Sequence, residues 1–271
     1  MMRSTKLPPL RPRALAALLL SGLTLAGCGS GMDAQLGRNR MAGMASSAPR
    51  KVKPSEALDY SKNYEIHGID VSKYQGPIDW YAVANSDVQF AWIKATEGAD
   101  HLDARFQENW SGAKAAGLPR GAYHFVYWCR PWREEIAWLE RNVPAEKDAL
   151  PPVLDVEATP ESKTCKRTIY PEEAIPQMRE MLQEMEHFYG KKPIIYTTVD
   201  FYEAILSGGA LEDYPIWVRS TKHHPTVRYG DRKWHFWQYQ SDGSVPGIGT
   251  AVDRNVFHGS AKDWEKWLAS N

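Results

Sequence analysis

From residue 64 onward, short apolar runs alternate with longer stretches whose apolar residues recur at helical spacing. Runs at 66–71, 88–95, 121–128, 151–158 and 193–199 are rich in Val, Ile, Leu, Ala and aromatic residues and predict strands. Between them, 79–83, 104–116, 131–141, 171–189 and 201–206 predict helices. Gly117 and Gly190 stand where a helix end favours glycine, and Pro131 where a helix start tolerates proline. After residue 206 the rhythm changes: 214–220, 234–240 and 250–257 read as strands joined by loops, and a last helix over 261–268 carries Trp264 and Trp267 at core spacing. Eight strands, the early ones in βα alternation, predict an α/β protein with a TIM-like barrel, a single domain over 64–271. An open doubly wound sheet would bring a glycine-rich nucleotide loop after its first strand, and Ser72-Lys73-Tyr74-Gln75-Gly76 is not one.

The segment before residue 64 follows neither rhythm. Arg3, Lys6, Arg11 and Arg13 precede an apolar run over 14–26 that is too short to span a bilayer comfortably and ends in small residues, the pattern of a secretory signal. The run closes on Leu25-Ala26-Gly27-Cys28, which resembles a bacterial lipobox. That resemblance implies a signal peptide over 1–27, cleavage before Cys28 and lipidation of Cys28, so the membrane becomes a partner through the anchor. Loss of 1–27 removes four basic residues and no acids, taking the formal charge from 0 to −4. Over 28–63 the composition turns to Gly, Ser, Ala, Met and charge without periodicity, which predicts a flexible tether. The expected product is an exported, lipid-anchored envelope protein, held at the outer membrane facing the periplasm if its source is Gram-negative.

Composition narrows the chemistry. With no net charge and no basic run interleaved with aromatics after the N-terminus, nothing favours nucleic acid. The 11 Trp and 13 Tyr lean towards carbohydrate, because flat rings at strand ends grip the apolar faces of sugars. His223 and His224 are adjacent in a polar stretch, and no H-E-x-x-H or comparable ligand set occurs, so neither a metal nor a cofactor is expected. His67 and His124 lie on predicted strands and read as core imidazoles.

The candidate chemistry sits in Pro151-Pro152-Val153-Leu154-Asp155-Val156-Glu157-Ala158. Residues two apart on a strand share a face, so Val153, Asp155 and Glu157 point one way, and Leu154 and Val156 the other. Two carboxyls crowded on a core strand cannot both ionise cheaply; one keeps its proton near neutral pH, which is the pairing that glycosidic bond cleavage uses. In a barrel, function collects at the C-terminal strand ends. Asp70 ends the first strand, Asp253 lies on the last, and closure makes those strands neighbours, so four acids should line one cleft.

His67-Gly-Ile-Asp70-Val-Ser-x-Tyr-Gln-Gly76, Gly121-Ala-Tyr-His-Phe125, Leu154-Asp155-Val-Glu157, Trp237-Gln-Tyr239 and Val252-Asp253-Arg-Asn-Val-Phe257 together resemble the family 25 glycoside hydrolases, the Chalaropsis-type lysozymes. The resemblance implies a flattened, incomplete (β/α) barrel that hydrolyses the β-1,4 bond after N-acetylmuramic acid in peptidoglycan, acting as a monomer on glycan strands without metal or cofactor. It implies that Glu157 is the proton donor and that Asp155 either stabilises the developing cation or orients the substrate's acetamido group. Asp70 and Asp253 match the two further acids of the cleft, and Tyr123, Tyr196, Trp217 and Gln238 fall at positions that look like sugar contacts. The family commonly has a small residue where Arg219 stands, and the charged insert over 159–169 contains Cys165. Cys129 and Cys165 follow neighbouring strands, and an exported compartment permits a disulfide between them. Two rivals are weighed: a catalytically idle peptidoglycan-binding lipoprotein, and a family 18 chitinase, which would need an acid where Val153 stands.

Overall fold

The computed structural model describes residues 55–160 and 162–271. Its strands are β1 (His67–Val71), β2 (Val88–Glu97), β3 (His101–Leu102), β4 (Arg120–Phe125), β5 (Val153–Val156), β6 (Ile194–Thr197), β7 (Ile216–Arg219), β8 (Phe236–Gly243) and β9 (Val252–Phe257). Its helices are α1 (Glu56–Ser61), α2 (Trp80–Ala84), α3 (Phe106–Ala115), α4 (Trp132–Asn142), α5 (Pro171–Tyr189), α6 (Val199–Phe201, extended by a π-helical turn over Tyr202–Leu206), α7 (Pro225–Tyr229) and α8 (Ala261–Ser270). All eight expected strands form, and they close a ring in the order β1-β2-β4-β5-β6-β7-β8-β9, because β1 pairs with both β2 and β9. Neighbours are parallel except around β9, which runs antiparallel to β8 and to β1. The two residues of β3 form a flap on β2. What is incomplete is the outer helical layer: only the five-residue α7 separates β7 from β8, and β8 and β9 form a hairpin.

Side-chain alternation divides the apolar residues into two cores. Ile69, Val71, Ala91, Ile93, Leu154, Val156, Ile195 and Val218 face outward and pack under the helices with Met178, Met181, Leu182 and Met185 of α5. Phe90, Trp92, Val153, Ile194, Trp217, Phe236 and Phe257 face inward and fill the ring, joined by Trp264 of α8. Helix α8, expected from its tryptophan spacing, therefore stoppers the end of the barrel remote from the C-terminal ends of the parallel strands; Trp264 packs 5.2 Å from Phe257 and 5.3 Å from Phe90, centroid to centroid. Room for the large rings of β2 comes from two glycines on the strands that flank it, β1 and β4. A Cβ on Gly68 would stand 2.3 Å from the Phe90 ring, and one on Gly121 would stand 2.0 Å from Trp92. Both glycines belong to the motifs singled out in the sequence.

The tether needs correction at its C-terminal end. Instead of running to residue 63 it gives way to α1, capped by the Ser55 side chain, with Ala57 and Ser61 buried and the Ala57 N–H bonded to the Lys222 carbonyl at 3.2 Å. Six residues with a single buried apolar position carry too little periodicity to announce a helix, and packing against the barrel supplies what propensity does not. The signal peptide over 1–27, Cys28 and the rest of the tether lie outside the described residues.

Candidate active site

At the other mouth of the ring, a cleft of about 330 Å³ is lined by Asp70, Ser72, Tyr74, Lys94, Tyr123, Phe125, Asp155, Glu157, Tyr196, Trp217, Arg219, Gln238 and Asp253. Every residue that the sequence nominated for catalysis or sugar contact is on this surface. They meet because the inward positions of successive strands rise in register. Asp155 of β5 pairs with Tyr196 of β6, Tyr196 with Trp217 of β7, and Asp70 of β1 with Asp253 of β9.

Asp155 is buried, and its Oδ1 has no hydrogen-bond partner among the described residues. Glu157, one pleat higher, is half-buried. Burial raises the pKa of both carboxyls, and the neighbouring Glu157 charge raises Asp155 further, well above the usual carboxylate range. Arg219 and Lys94 pull Glu157 back down. The deeper carboxyl therefore resists ionisation more, while the one that reaches the open cleft is Glu157. Its backbone is fixed from the side by Trp128, whose indole N–H donates to the Glu157 carbonyl at 2.9 Å.

Asp70 is held by a polar network along the floor. Gln238 Nε2 and Asn255 Nδ2 each donate to its Oδ2 at 2.8 Å. Behind them, the Tyr196 hydroxyl donates to Gln238 Oε1 at 2.9 Å and Trp217 Nε1 donates to Asn255 Oδ1 at 2.9 Å. These amide donors favour the carboxylate, yet burial outweighs them and the Asp70 pKa is pushed up to about 6. Asp253 is pushed up to about 8, first by burial and then by Asp70. Tyr196, Trp217 and Gln238 are thus more than wall: they are the inner supports of an acid, and Trp217, only 2% exposed, presents little of its face to the cleft.

The structure adds residues that sequence reasoning passed over. Asn255 is one; alternation on β9 put it on the Asp253 face, so the signal was present. Lys94 at the rim carried no motif, the exposed Tyr74 stood in the first motif without being singled out, and Arg219 was noticed only as a departure. The disulfide Cys129–Cys165 is formed, with Cα atoms 5.7 Å apart, and it ties the connection after β4 to the insert after β5. His124 is the satisfied core imidazole expected of it, bonded to Thr96 Oγ1 at 2.8 Å and Glu135 Oε2 at 3.0 Å. His224 caps α7 and packs on Trp237, so it is less solvated than its polar neighbourhood suggested.

With this geometry in hand, comparison with known proteins is specific. A model of Glycosyl hydrolases family 25 matches residues 69–248. The uncharacterized protein YegX of Escherichia coli (strain K12) is 36% identical over 227 residues, covering 81% of this chain and 79% of that protein. Lysozyme M1 of Streptomyces globisporus is 35% identical over 210 residues, covering 72% of this chain and 69% of that protein. Among solved structures, a family 25 glycosyl hydrolase from Bacillus anthracis superposes with a TM-score of 0.70 at 37% identity, covering 75% of this chain and 94% of that one. A bacterial lysozyme from Streptomyces coelicolor gives 0.66 at 34% identity, with 75% and 95% covered.

Proposed function

Because the chain belongs to glycosyl hydrolases family 25, we propose that its cleft is that of a lysozyme, hydrolysing the β-1,4 bond between N-acetylmuramic acid and N-acetylglucosamine in peptidoglycan. The observation that carries this reading is the stacked pair Asp155 and Glu157, both raised in pKa, at the mouth of a groove lined by tyrosines and two further acids. Glu157, the member of the pair that reaches the cleft, passes the proton that the two carboxyls hold between them to the glycosidic oxygen as the C1–O bond breaks. Asp155 stands on the same strand end and acts on Glu157 directly, so it approaches the sugar from the acid's side. That placement suits holding the substrate's acetamido group while its oxygen closes on C1; water then opens the ring intermediate, giving its proton to Glu157, with net retention. Asp70 and Asp253 supply negative potential beneath the developing cation, and Tyr123, Tyr196, Trp217 and Gln238 shape and brace the sugar-binding floor.

Location follows from substrate and leader together. Peptidoglycan places the enzyme in the envelope, and the lipobox-like Leu25-Ala26-Gly27-Cys28 supports lipid anchoring at Cys28, with the barrel working as a monomer at the end of its tether. Cys28→Ala should move the enzyme from the membrane to the soluble fraction; an unchanged partition ends the anchoring proposal. For the activity, purified peptidoglycan is digested and the new reducing ends identified by mass spectrometry. Muramic acid at the reducing end is the expected product. Reducing-end N-acetylglucosamine would assign a different glycosidase, and no cleavage would leave an idle glycan-binding protein.

A further inference from the structure

Two cations face the cleft, and they are not equivalent. Lys94 is engaged, with Nζ 2.8 Å from Glu97 Oε2 and 5.0 Å above the Phe125 ring. Arg219 is not: among the described residues its guanidinium joins no hydrogen bond or ion pair, and only its backbone carbonyl is used, by the Tyr229 hydroxyl at 2.7 Å. Its charge nevertheless lowers the pKa of Asp70, Glu157 and Asp253, so it stands among the acids without closing on any of them. An arginine kept only to neutralise carboxylates would be expected to form a two-pronged pair with one of them, since its planar fork matches that geometry. Here the fork is left open. Arg219 lies one pleat above Trp217, at the level of Glu157, where the substituents of a bound sugar rather than the protein would meet it.

We infer that Arg219 is the residue that recognises the carboxylate carried on the lactyl arm of muramic acid, and so sets the preference for that sugar beside the bond that is cut. N-acetylmuramic acid differs from N-acetylglucosamine by that arm alone, and a carboxylate is the group a free guanidinium fork fits best. The inference rests on the muramidase reading above. One chemistry has two sources: the lactyl carboxylate itself where the glycan carries no peptide, and the nearest stem-peptide carboxylate where the lactyl group is amide-linked.

The full chain, as wild type, Arg219→Gln and Arg219→Lys, is assayed for kcat/KM on stem-free glycan strands and on strands bearing stem peptides, each with its carboxyls free and converted to amides. Thermal unfolding of each variant confirms that the barrel is intact. Wild type should prefer charged to amidated strands by roughly tenfold to a hundredfold, the range for a charge-assisted hydrogen bond. Arg219→Gln should erase most of that preference, chiefly through KM, and Arg219→Lys should restore part of it. Loss of preference on stem-free strands assigns the lactyl carboxylate, and loss confined to stem-bearing strands assigns the peptide. A wild type indifferent to amidation on both kinds of strand, or an Arg219→Gln variant that loses the same factor on charged and amidated strands, overturns the inference and leaves Arg219 as an electrostatic tuner of the acids. Failure of wild type to release reducing-end muramic acid is a different result and sinks the muramidase reading itself.

Discussion

The two ends of this barrel are made from the same strands and do opposite things. On β5 the inward row runs Val153, Asp155, Glu157; on β9 it runs Phe257, Asn255, Asp253; on β8 it passes from Phe236 to Gln238. In each case the lower position is an aromatic or aliphatic side chain of the inner core that the α8 stopper closes, and the upper one is a group that hydrogen bonds or titrates. The lower end is bound by packing and resists water. The upper end accumulates four carboxyls with raised pKa values, an arrangement that costs stability and is kept where chemistry uses it. A barrel thus lets one end finance the other, because rings packed below hold strands in register while acids crowd above.

Changes at the lower end should remove stability and spare the catalytic constants of what remains folded. Phe236→Ala, deep among Phe90, Trp92 and Phe257, should cost about 3 to 5 kcal/mol in denaturant unfolding, with kcat per folded molecule close to wild type. If kcat instead collapses while the midpoint holds, the division between ends is wrong. The disulfide belongs to neither end but stands beside the upper one. Replacing Cys129 and Cys165 by Ser should cost about 3 to 4 kcal/mol from restored chain entropy across the 36-residue separation. Because Trp128, next to Cys129, carries the Glu157 carbonyl, this variant should also lose activity below its unfolding temperature. Gly121→Ala should cost about 1 to 3 kcal/mol by driving a Cβ into Trp92, the penalty of an overpacked core.

The upper end makes the opposite prediction for pH. Asp70 and Asp253 have folded pKa values of about 6 and about 8 against an ordinary 3.8, so between those limits the folded state holds protons that the unfolded chain has lost. Their contribution is complete below about pH 4 and is lost as pH rises to about 8, so the unfolding temperature should decline across that window. Asp253→Asn should flatten the decline. A variant whose slope matches wild type would show that the crowding of acids carries no stability cost.

Much of this division was legible beforehand. The βα rhythm gave the strands, and alternation on 151–158 put Asp155 and Glu157 on the inner face, with Leu154 and Val156 under the helices, as the two cores show. Motif positions placed Asp70 and Asp253 in one cleft. The remainder depends on closure, which no local window contains. Helices α1 and α7 are too short for periodicity to register, and each is held by contacts with distant chain. The glycines Gly68 and Gly121 were visible as motif letters, but their reason is the ring that a neighbouring strand inserts beside them. The bracing of Asp70 by Asn255, Trp217, Gln238 and Tyr196 joins five strands and could not be read from any one of them.

On the proposed reading, the raised carboxyl pair at the upper end performs the bond cleavage and contributes nothing the fold needs. Glu157→Gln tests it most directly, with reducing-end release from peptidoglycan and thermal unfolding measured on the same preparation. Release should fall at least about a hundredfold, with an unfolding temperature no lower than wild type. Release near the wild-type rate, or loss only in step with unfolding, would contradict it.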